Sequence, residues 1–464
     1  MRSGLFRQVL FWLHLISGIV ASIVIFIMSA TGVPLAFESN VLRSVERSER
    51  TLSSKPEGQA PLPLEEVVAR VRAEYPEVKF NSVSVFPEED SAVFVGAGRR
   101  GGYWANPFTG ESWQAGTSAW NGLFHWLRDW HRWLGMEGDG RAIGKALTGA
   151  CNTAFLLLAL TGLVLWWPKR WTKPVLRSIG WFRGGLKGKA RDFNWHNVIG
   201  FWTLPVMIVL IVSGMVISYG WASNLVYRVV GEEPPVRGGP PGATGGPAVT
   251  VPTPPAGAKP LSYADVLAMA GAAAPGWERL TLQLGGGGAR AEGARAEGAG
   301  GGDDARAEGA REEGARGEAA GSAEGARNGR SRSLRALTVS VRAAGKTPVN
   351  ANSTLSLDPF TGAVLKAEGP ADASTGRRLR SWLRYLHTGE ALGLFGQIVA
   401  AIASLGGAVL VWTGLSLSWR RFFRRKGPKA TRPKLGESGA SSIPELANAE
   451  SADASAPSTS TTPA

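Results

Sequence analysis

The residues best suited to chemistry in this sequence are its five histidines, because neutral imidazoles are common ligands of haem iron and of other metals. None of them lies in the low-complexity stretch or in the C-terminal tail, and each falls at the border of an apolar segment. His14 and His196 stand near the start of apolar runs, within a shared F-x-x-H-x-x-x-G pattern. His131 and His387 end amphipathic segments that precede two other apolar runs. The histidines therefore form two sets of two, with His125 left over.

These two sets predict a haem chemistry. Two neutral imidazoles that face each other across a helical bundle are standard axial ligands of b-type haem. We expect His14 and His196 at similar depth near one side of a membrane, and His131 and His387 near the other side. Two such pairs predict two b haems in series, which would divide the roughly 27 Å between His14 and Gly32 of one helix into shorter electron hops.

A simpler explanation exists for any single histidine near the end of a membrane helix, namely an interfacial residue with satisfied hydrogen bonds. Because His14, His131, His196 and His387 recur at corresponding positions of the two halves, we favour the interpretation that they bind haem iron. His125 precedes His131 by six residues, about 240° around a helix, so the two cannot face one iron. We interpret His125 as a group behind the ligands, a substrate-side residue or an alternative ligand. Three arginines lie near these histidines in the sequence: Arg128, Arg132 and Arg384. They could equally contact haem propionates, an anionic substrate or lipid phosphate.

Four apolar runs supply the elements that position these histidines. Each run approaches or exceeds the about 20 residues that a helix needs to cross the hydrocarbon core of a membrane. The first is longer than the apolar region of a signal peptide and no clean cleavage site follows it, so we interpret it as an uncleaved anchor. The runs cover residues 11–37, 142–167, 197–220 and 397–419.

The formal net charge of +14 is concentrated in segments that indicate the topology. Lys and Arg crowd the loop at 168–195 and the start of the tail at 420–464. By the positive-inside rule both termini lie in the cytoplasm, and the long loops lie outside it. The basic segments are thus explained by membrane orientation and by contact with lipid headgroups, and no nucleic-acid-binding motif accompanies them.

The chain has a single cysteine, Cys151, which excludes intramolecular disulfides and cysteine-ligated iron–sulfur clusters.

The chain also repeats itself. Two segments outside the membrane each show a helical pattern followed by alternating, strand-like segments. The motifs NPFTGE and DPFTGA predict the same turn in both, with Gly110 and Gly362 free to adopt positive φ. The apolar runs correspond as well, with Thr31 matching Ser213 and a Thr-Gly pair recurring at 161–162 and 413–414. We therefore predict a duplicated α-helical integral membrane bundle with four main transmembrane helices and two small α+β modules.

The predicted domains follow from these patterns. They are the N-terminus and first span (1–37), a first outer module (38–116), an interfacial amphipathic helix and loop (117–141), the second span (142–167), a basic cytoplasmic loop (168–195), the third span (196–220), a second outer module (221–373) with a disordered low-complexity insert (285–333), an interfacial helix and loop (374–396), the fourth span (397–419), and a basic, disordered tail (420–464).

On these motifs the chain resembles the PepSY-associated transmembrane family, also called PiuB-like or iron-regulated membrane proteins. The resemblance covers about residues 1–425 apart from the insert, and its pieces are WLHLISG, LRDWHRWLG, WHNVIGFW, LHTGEALG, LTGLVLWWPKR and WTGLSLSWRR. It implies a multi-pass protein of the bacterial cytoplasmic membrane with periplasmic PepSY modules. Some members resemble, or are, di-haem reductases that release iron from ferric siderophores. Carried over to this chain, the candidate haem ligands are His14, His131, His196 and His387.

Two functions from different classes fit this sequence. The first is haem-dependent electron transfer from quinol or a separate cytoplasmic reductase to a periplasmic acceptor such as a ferric siderophore. No dinucleotide-binding motif occurs in the cytoplasmic parts, so the donor is a separate molecule. The alternative is a non-redox membrane protein whose PepSY modules bind peptides or regulate a peptidase or assembly partner. A transporter or metal-binding accessory protein is a weaker third interpretation, since the span cores contain no acidic residue.

Overall fold

Apolar helices and a single antiparallel sheet make up the part of the chain that the computed structural model describes. That part comprises residues 2–53, 58–98, 101–168, 170–235, 249, 251–254, 257–284, 335–343 and 352–423. The predicted insert at 285–333 lies outside the described residues, as does nearly all of the predicted tail at 420–464.

The helices and strands alternate in blocks along the chain. The helices are α1 (Arg2–Leu35), α2 (Glu38–Arg50), α3 (Leu64–Glu74), α4 (Ala119–Trp133), α5 (Gly140–Trp166), α6 (Lys173–Gly180), α7 (Gly188–Ser218), α8 (Gly220–Val229), α9 (Tyr263–Ala273), α10 (Thr375–Thr388) and α11 (Gly393–Phe422). The strands are β1 (Ser82–Val85), β2 (Val93–Gly96), β3 (Gly102–Ala105), β4 (Ser112–Gln114), β5 (Trp277–Gln283), β6 (Leu337–Ala343), β7 (Asn352–Leu357) and β8 (Val364–Glu368).

Four helices in the described part of the chain are long and apolar enough to cross a membrane, which confirms the predicted spans. They are α1, α5, α7 and α11. Each packs against two of the others, in the order α1, α5, α7, α11 and back to α1, so α1 and α7 face each other diagonally. Apolar side chains such as Val20, Ile23 and Trp412 point away from the bundle and are exposed, as expected of a surface that contacts lipid.

Small residues bring the spanning helices close together. A Cβ atom at Gly407 of α11 would lie 2.8 Å from Oγ of Ser29 on α1 and 3.1 Å from Cε of Met207 on α7. A Cβ at Gly406 would lie 2.6 Å from Cγ2 of Thr203 on α7. Helices in a membrane associate through such close contacts, because lipid gives no hydrophobic driving force for burying large side chains.

The described strands form one eight-stranded antiparallel sheet in the order β4-β3-β2-β1-β5-β6-β7-β8. The two outer segments, predicted as separate modules, are therefore joined edge to edge through β1 and β5. Val83 of β1 lies opposite Leu282 of β5, and both side chains are fully buried. Separate halves would each expose an unpaired apolar edge strand, and pairing of the two edges removes that liability.

Each half of the sheet carries one helix on the same apolar core, α3 in the first half and α9 in the second. The predicted turns have the same geometry in both halves. Oδ1 of Asn106 accepts a hydrogen bond from the Phe108 N–H at 2.9 Å, and Oδ1 of Asp358 accepts one from the Phe360 N–H at 2.8 Å. Gly110 and Gly362 have φ of 79° and 69°, which confirms the need for glycine at these positions.

Helix α2 connects the bundle to the sheet and was not predicted. Its end is fixed to the sheet by Arg50, whose Nη1 lies 2.9 Å from a carboxylate oxygen of Glu88. The neighbouring Glu49 accepts a hydrogen bond from the indole N–H of Trp104 on β3 at 3.3 Å. The end of the bundle that α2 leaves is therefore the sheet side. The opposite end, where α1 begins and α11 finishes, is called the terminus side below.

Candidate functional site

Two histidines meet at the terminus side of the bundle. His14 lies in the fourth turn of α1, and His196 lies in the third turn of α7. Their ring centres are 6.4 Å apart and the ring planes are inclined by 85°. Because α1 and α7 are diagonal neighbours, these rings face each other across the middle of the bundle. We refer to His14 and His196 as the terminus-side pair.

Two further histidines meet at the sheet side. His131 lies in the last turn of α4 and His387 lies in the last turn of α10. Their ring centres are 6.3 Å apart, with the planes inclined by 65°. We refer to His131 and His387 as the sheet-side pair.

Local capping sets where α4 and α10 begin and end. Ser118 and Ser374 cap the N-termini, with each side chain accepting a hydrogen bond from the N–H three residues later. The helices stop soon after their histidines, at residues in the left-handed region: Leu134 with φ of 56° and Gly389 with φ of 80°. A helix is thus present in each segment predicted to be amphipathic, and each presents its histidine to the bundle from its final turn.

Each of the four paired rings is held by a hydroxyl group from a spanning helix. The Nδ1 atom of the ring lies within hydrogen-bond distance of the hydroxyl oxygen in every case. The distances from Nδ1 to the oxygen are 2.9 Å for His14 and Thr161, 2.9 Å for His196 and Thr413, 3.0 Å for His131 and Thr31, and 3.1 Å for His387 and Ser213.

A glycine follows each of these hydroxyl residues and lies beside the ring, and at Gly162 and Gly214 a Cβ would be closer to the ring than an ordinary contact. A Cβ atom built on the glycine would meet the Cε1 atom of the histidine that the preceding hydroxyl holds. The distances from that Cβ to Cε1 are 3.3 Å for Gly162 and His14, 3.6 Å for Gly414 and His196, 3.6 Å for Gly32 and His131, and 3.2 Å for Gly214 and His387. Each spanning helix therefore contributes one hydroxyl–glycine pair that contacts one imidazole. We call this pair of residues the seat of the ring.

The spacing within each pair fits two imidazoles on opposite sides of one metal ion. An imidazole nitrogen binds a metal at about 2 Å and lies about 1.1 Å from its ring centre, so two axial imidazoles have centres roughly 6.3 Å apart. The observed separations are 6.4 and 6.3 Å. Among the described residues, no group of three or more His, Cys, Asp or Glu side chains could hold a metal ion. A haem needs only two protein ligands, because the macrocycle itself supplies four nitrogens, so the pairs fit haem better than a bare ion.

At the sheet side two histidines lie beside a group of arginines. Burial lowers the pKa of His131 to about 4, and burial also lowers the pKa of His387, so both rings are neutral at neutral pH. Burial, together with the positive charges of Arg128 and Arg384, lowers the pKa of the neighbouring Arg132. Arg128 also donates a hydrogen bond to Glu38, a carboxylate whose pKa is raised by burial.

His125 is not part of either pair. Its side chain is 67% exposed, and its Nδ1 atom lies 3.3 Å from Oδ2 of Asp129, four residues later on α4. The structure therefore brings together four of the five histidines singled out in the sequence and leaves His125 on the outer face of α4.

Comparison with known proteins gives the family. A sequence profile described as the PepSY-associated TM region matches residues 11–421. The chain belongs to this family. The match begins three residues before His14 and extends to Arg421 near the end of α11, so it includes both histidine pairs, all of α5 and α7, and most of α1 and α11. The resemblance to the PepSY-associated transmembrane family is thereby confirmed. No curated protein matches this member of the family.

Sequence reasoning missed the role of the hydroxyl residues. The recurring Thr-Gly pairs and the match of Thr31 with Ser213 were visible as correspondences, but small residues recur in any tightly packed membrane bundle. A count of hydroxyl–glycine pairs would not have identified them, because α1 and α5 each carry another pair, Ser17-Gly18 and Thr148-Gly149. The residues that contact the rings are Thr31, Thr161, Ser213 and Thr413.

Proposed function

We propose that this protein binds two b haems, one at each histidine pair, and carries electrons across the membrane to an acceptor on the sheet side. The observation that carries the proposal is the ring separation of 6.4 and 6.3 Å, found independently at both ends of the bundle. Each separation matches the roughly 6.3 Å between ring centres that two imidazoles on one iron would have, and each ring also has a hydroxyl partner at Nδ1.

The chain's own residues account for binding and orientation. His14 and His196 would hold one haem iron, and His131 and His387 would hold the other. When bound, each haem would supply reversible one-electron chemistry. The protein fixes the rings through the hydroxyl residues and keeps the two pairs at opposite ends of α1 and α7, since both helices contact both pairs.

The surroundings support a direction for electron flow. The loop at 168–195 lies at the terminus side, and both this loop and the start of the segment at 420–464 are rich in Lys and Arg, which supports placing the terminus side in the cytoplasm of a bacterium, with the sheet in the periplasm. Neither segment contains a dinucleotide-binding motif, so we propose quinol or a separate reductase as the donor.

A ferric siderophore is the acceptor that we propose. Its support is the family resemblance and the positive charge of Arg132 and Arg384 beside the sheet-side pair, which would attract an anionic ferric chelate. His125, on the exposed face of α4, is not required for this path.

Electron transfer across vesicles tests the proposal. Haem-loaded protein is reconstituted into liposomes that enclose ferricyanide or a ferric hydroxamate chelate, and a membrane-impermeant reductant is added outside. We expect the enclosed acceptor to be reduced in vesicles with the wild-type or His125→Ala protein, and at least tenfold more slowly with His14→Ala or His387→Ala.

Two other outcomes would each contradict a different part of the proposal. Wild-type vesicles that reduce neither acceptor faster than empty vesicles would contradict the electron path. Reduction of ferricyanide without reduction of the ferric chelate would leave the path intact and contradict the siderophore as acceptor.

A further inference from the structure

We infer that Thr31, Thr161, Ser213 and Thr413 are positioning residues that fix each paired histidine with its proton on Nδ1 and its Nε2 lone pair free to bind iron. The part that concerns iron rests on the proposed function. The part that concerns the proton is a property of the side chains themselves, and it can be tested without haem.

The first support is the direction of each hydroxyl hydrogen bond. A hydroxyl group has one proton, and in all four residues it is given to the backbone carbonyl four positions earlier on the same helix. The oxygen–oxygen distances are 2.7 Å from Thr161 to Leu157, 2.9 Å from Thr413 to Val409, 2.7 Å from Thr31 to Ile27 and 2.5 Å from Ser213 to Val209. The hydroxyl oxygen can then only accept from the ring, so Nδ1 is the donor.

The second support is a carbonyl group that the ring of His387 also contacts. Nδ1 of His387 lies 2.9 Å from the carbonyl oxygen of Leu210, three residues before Ser213. A carbonyl oxygen accepts and never donates, so this contact also requires a protonated ring nitrogen.

A neutral imidazole with its proton on Nδ1 has an unprotonated Nε2, which is the atom that can bind iron. The hydrogen bond on the other nitrogen fixes both the tautomer and the rotation of the ring, and it makes the ligand more basic. The hydroxyl groups of α5 and α11 contact the rings of the terminus-side pair, and those of α1 and α7 contact the rings of the sheet-side pair.

The competing explanation is ordinary helix packing, because buried Ser and Thr in membrane helices commonly bond the carbonyl four residues earlier. Thr203 provides the matched control. It is buried in α7 and its Oγ1 donates to the Ile199 carbonyl at 2.8 Å, and in the described part of the chain no histidine hydrogen-bonds it. A purely structural role would make Thr203 and Thr413 equivalent.

The tautomer is tested by nitrogen NMR on full-length protein, purified without haem and labelled with ¹⁵N-histidine. We expect the four paired histidines to show a protonated Nδ1 and an unprotonated Nε2, and Thr413→Val to change one of them while Thr203→Val changes none. Protonated Nε2 atoms in the paired histidines would overturn the inference.

The consequence for iron is tested by haem affinity and redox titration. We expect Thr413→Val to weaken haem binding at one site by about 10–100-fold and to raise one midpoint potential, because the ligand becomes a poorer electron donor. Thr31→Val should raise the other potential, Thr413→Ser should restore the wild-type values, and Thr203→Val should change neither.

Equal effects of Thr413→Val and Thr203→Val would overturn the positioning role. Wild-type protein that binds no haem would contradict the proposed function instead, and the NMR result on the tautomer would still decide the inference about the proton.

Discussion

A paired histidine in this protein is held by two neighbours on one facing helix. The hydroxyl oxygen lies within hydrogen-bond distance of Nδ1, and the glycine after it lies beside Cε1. An imidazole without such contacts would rotate, or would place its proton on the nitrogen needed for iron. The haem proposal therefore requires the hydroxyl group at every paired ring, and it requires glycine where the ring lies closest, as at Gly162.

The glycine half of the seat gives a prediction at the terminus-side pair. A Cβ at position 162 would lie 3.3 Å from Cε1 of His14, which is too close without a shift of the ring, whereas a Cβ at position 414 would lie 3.6 Å from Cε1 of His196, an ordinary contact. We expect Gly162→Ala to weaken haem binding at this pair by about tenfold, the low end of the cost of a misoriented ligand. Haem titration followed by absorbance measures this.

Gly414→Ala is the matched control, since it adds the same methyl group facing the other ring of the same pair. We expect it to keep wild-type haem affinity. Equal affinity in the two alanine variants would show that the seats are not tight enough to orient the rings.

The sequence predicted the histidines well and their partners poorly, for a physical reason. Histidine is rare in apolar helices, so its repetition at positions 14 and 196 stands out. Serine and threonine next to glycine are common wherever membrane helices pack closely. Which face of α5 or α11 meets a given ring depends on the rotation of the helices, and that is fixed only in the assembled bundle.

At the scale of elements, the short helices and the turns were predictable because their signals are local. The amphipathic patterns before the second and fourth spans predicted α4 and α10, and the PFTG motifs predicted turns that depend on Gly110 and Gly362. Helix α2 was missed because its sequence, ESNVLRSVERSER, is strongly polar. Its contacts with Glu88 and Trp104 come from distant parts of the chain.

The joining of β1 to β5 was also missed, because strand pairing between distant segments leaves no local signal.

The pairing of β1 with β5 gives a prediction about the stability of the sheet. Leu282 of β5 is fully buried opposite Val83, so Leu282→Ala should leave a cavity and lower the free energy of unfolding of the sheet by about 2–5 kcal/mol. Proteolysis of the sheet strands in full-length protein, measured as a function of urea concentration, reports this loss.

Val364→Ala is the control in the same sheet, because Val364 lies on the edge strand β8 and is 43% exposed. We expect its effect to stay within about 0.5 kcal/mol. If the two variants became sensitive to protease at the same urea concentration, the apolar core shared by the two halves would not stabilise the sheet.

At the scale of the whole molecule, two histidine pairs stand at opposite ends of one membrane bundle. Helices α1 and α7 link them, since each provides a ring to the terminus-side pair and a hydroxyl to the sheet-side pair. These helices are therefore one route by which a change at one pair could reach the other. If each pair binds one haem as proposed, loss of one ring should empty one site and spare the other.

Haem content per chain tests this central claim most directly. Protein purified from cells supplied with haem is assayed for haem stoichiometry and for its reduced-minus-oxidised absorption spectrum. We predict two low-spin haems per chain in the wild-type protein and in His125→Ala, and one haem in each of His14→Ala, His387→Ala and the double variant His14→Ala/His196→Ala. A wild-type protein without haem would contradict the account, and so would a double variant that loses both haems while His14→Ala alone keeps one.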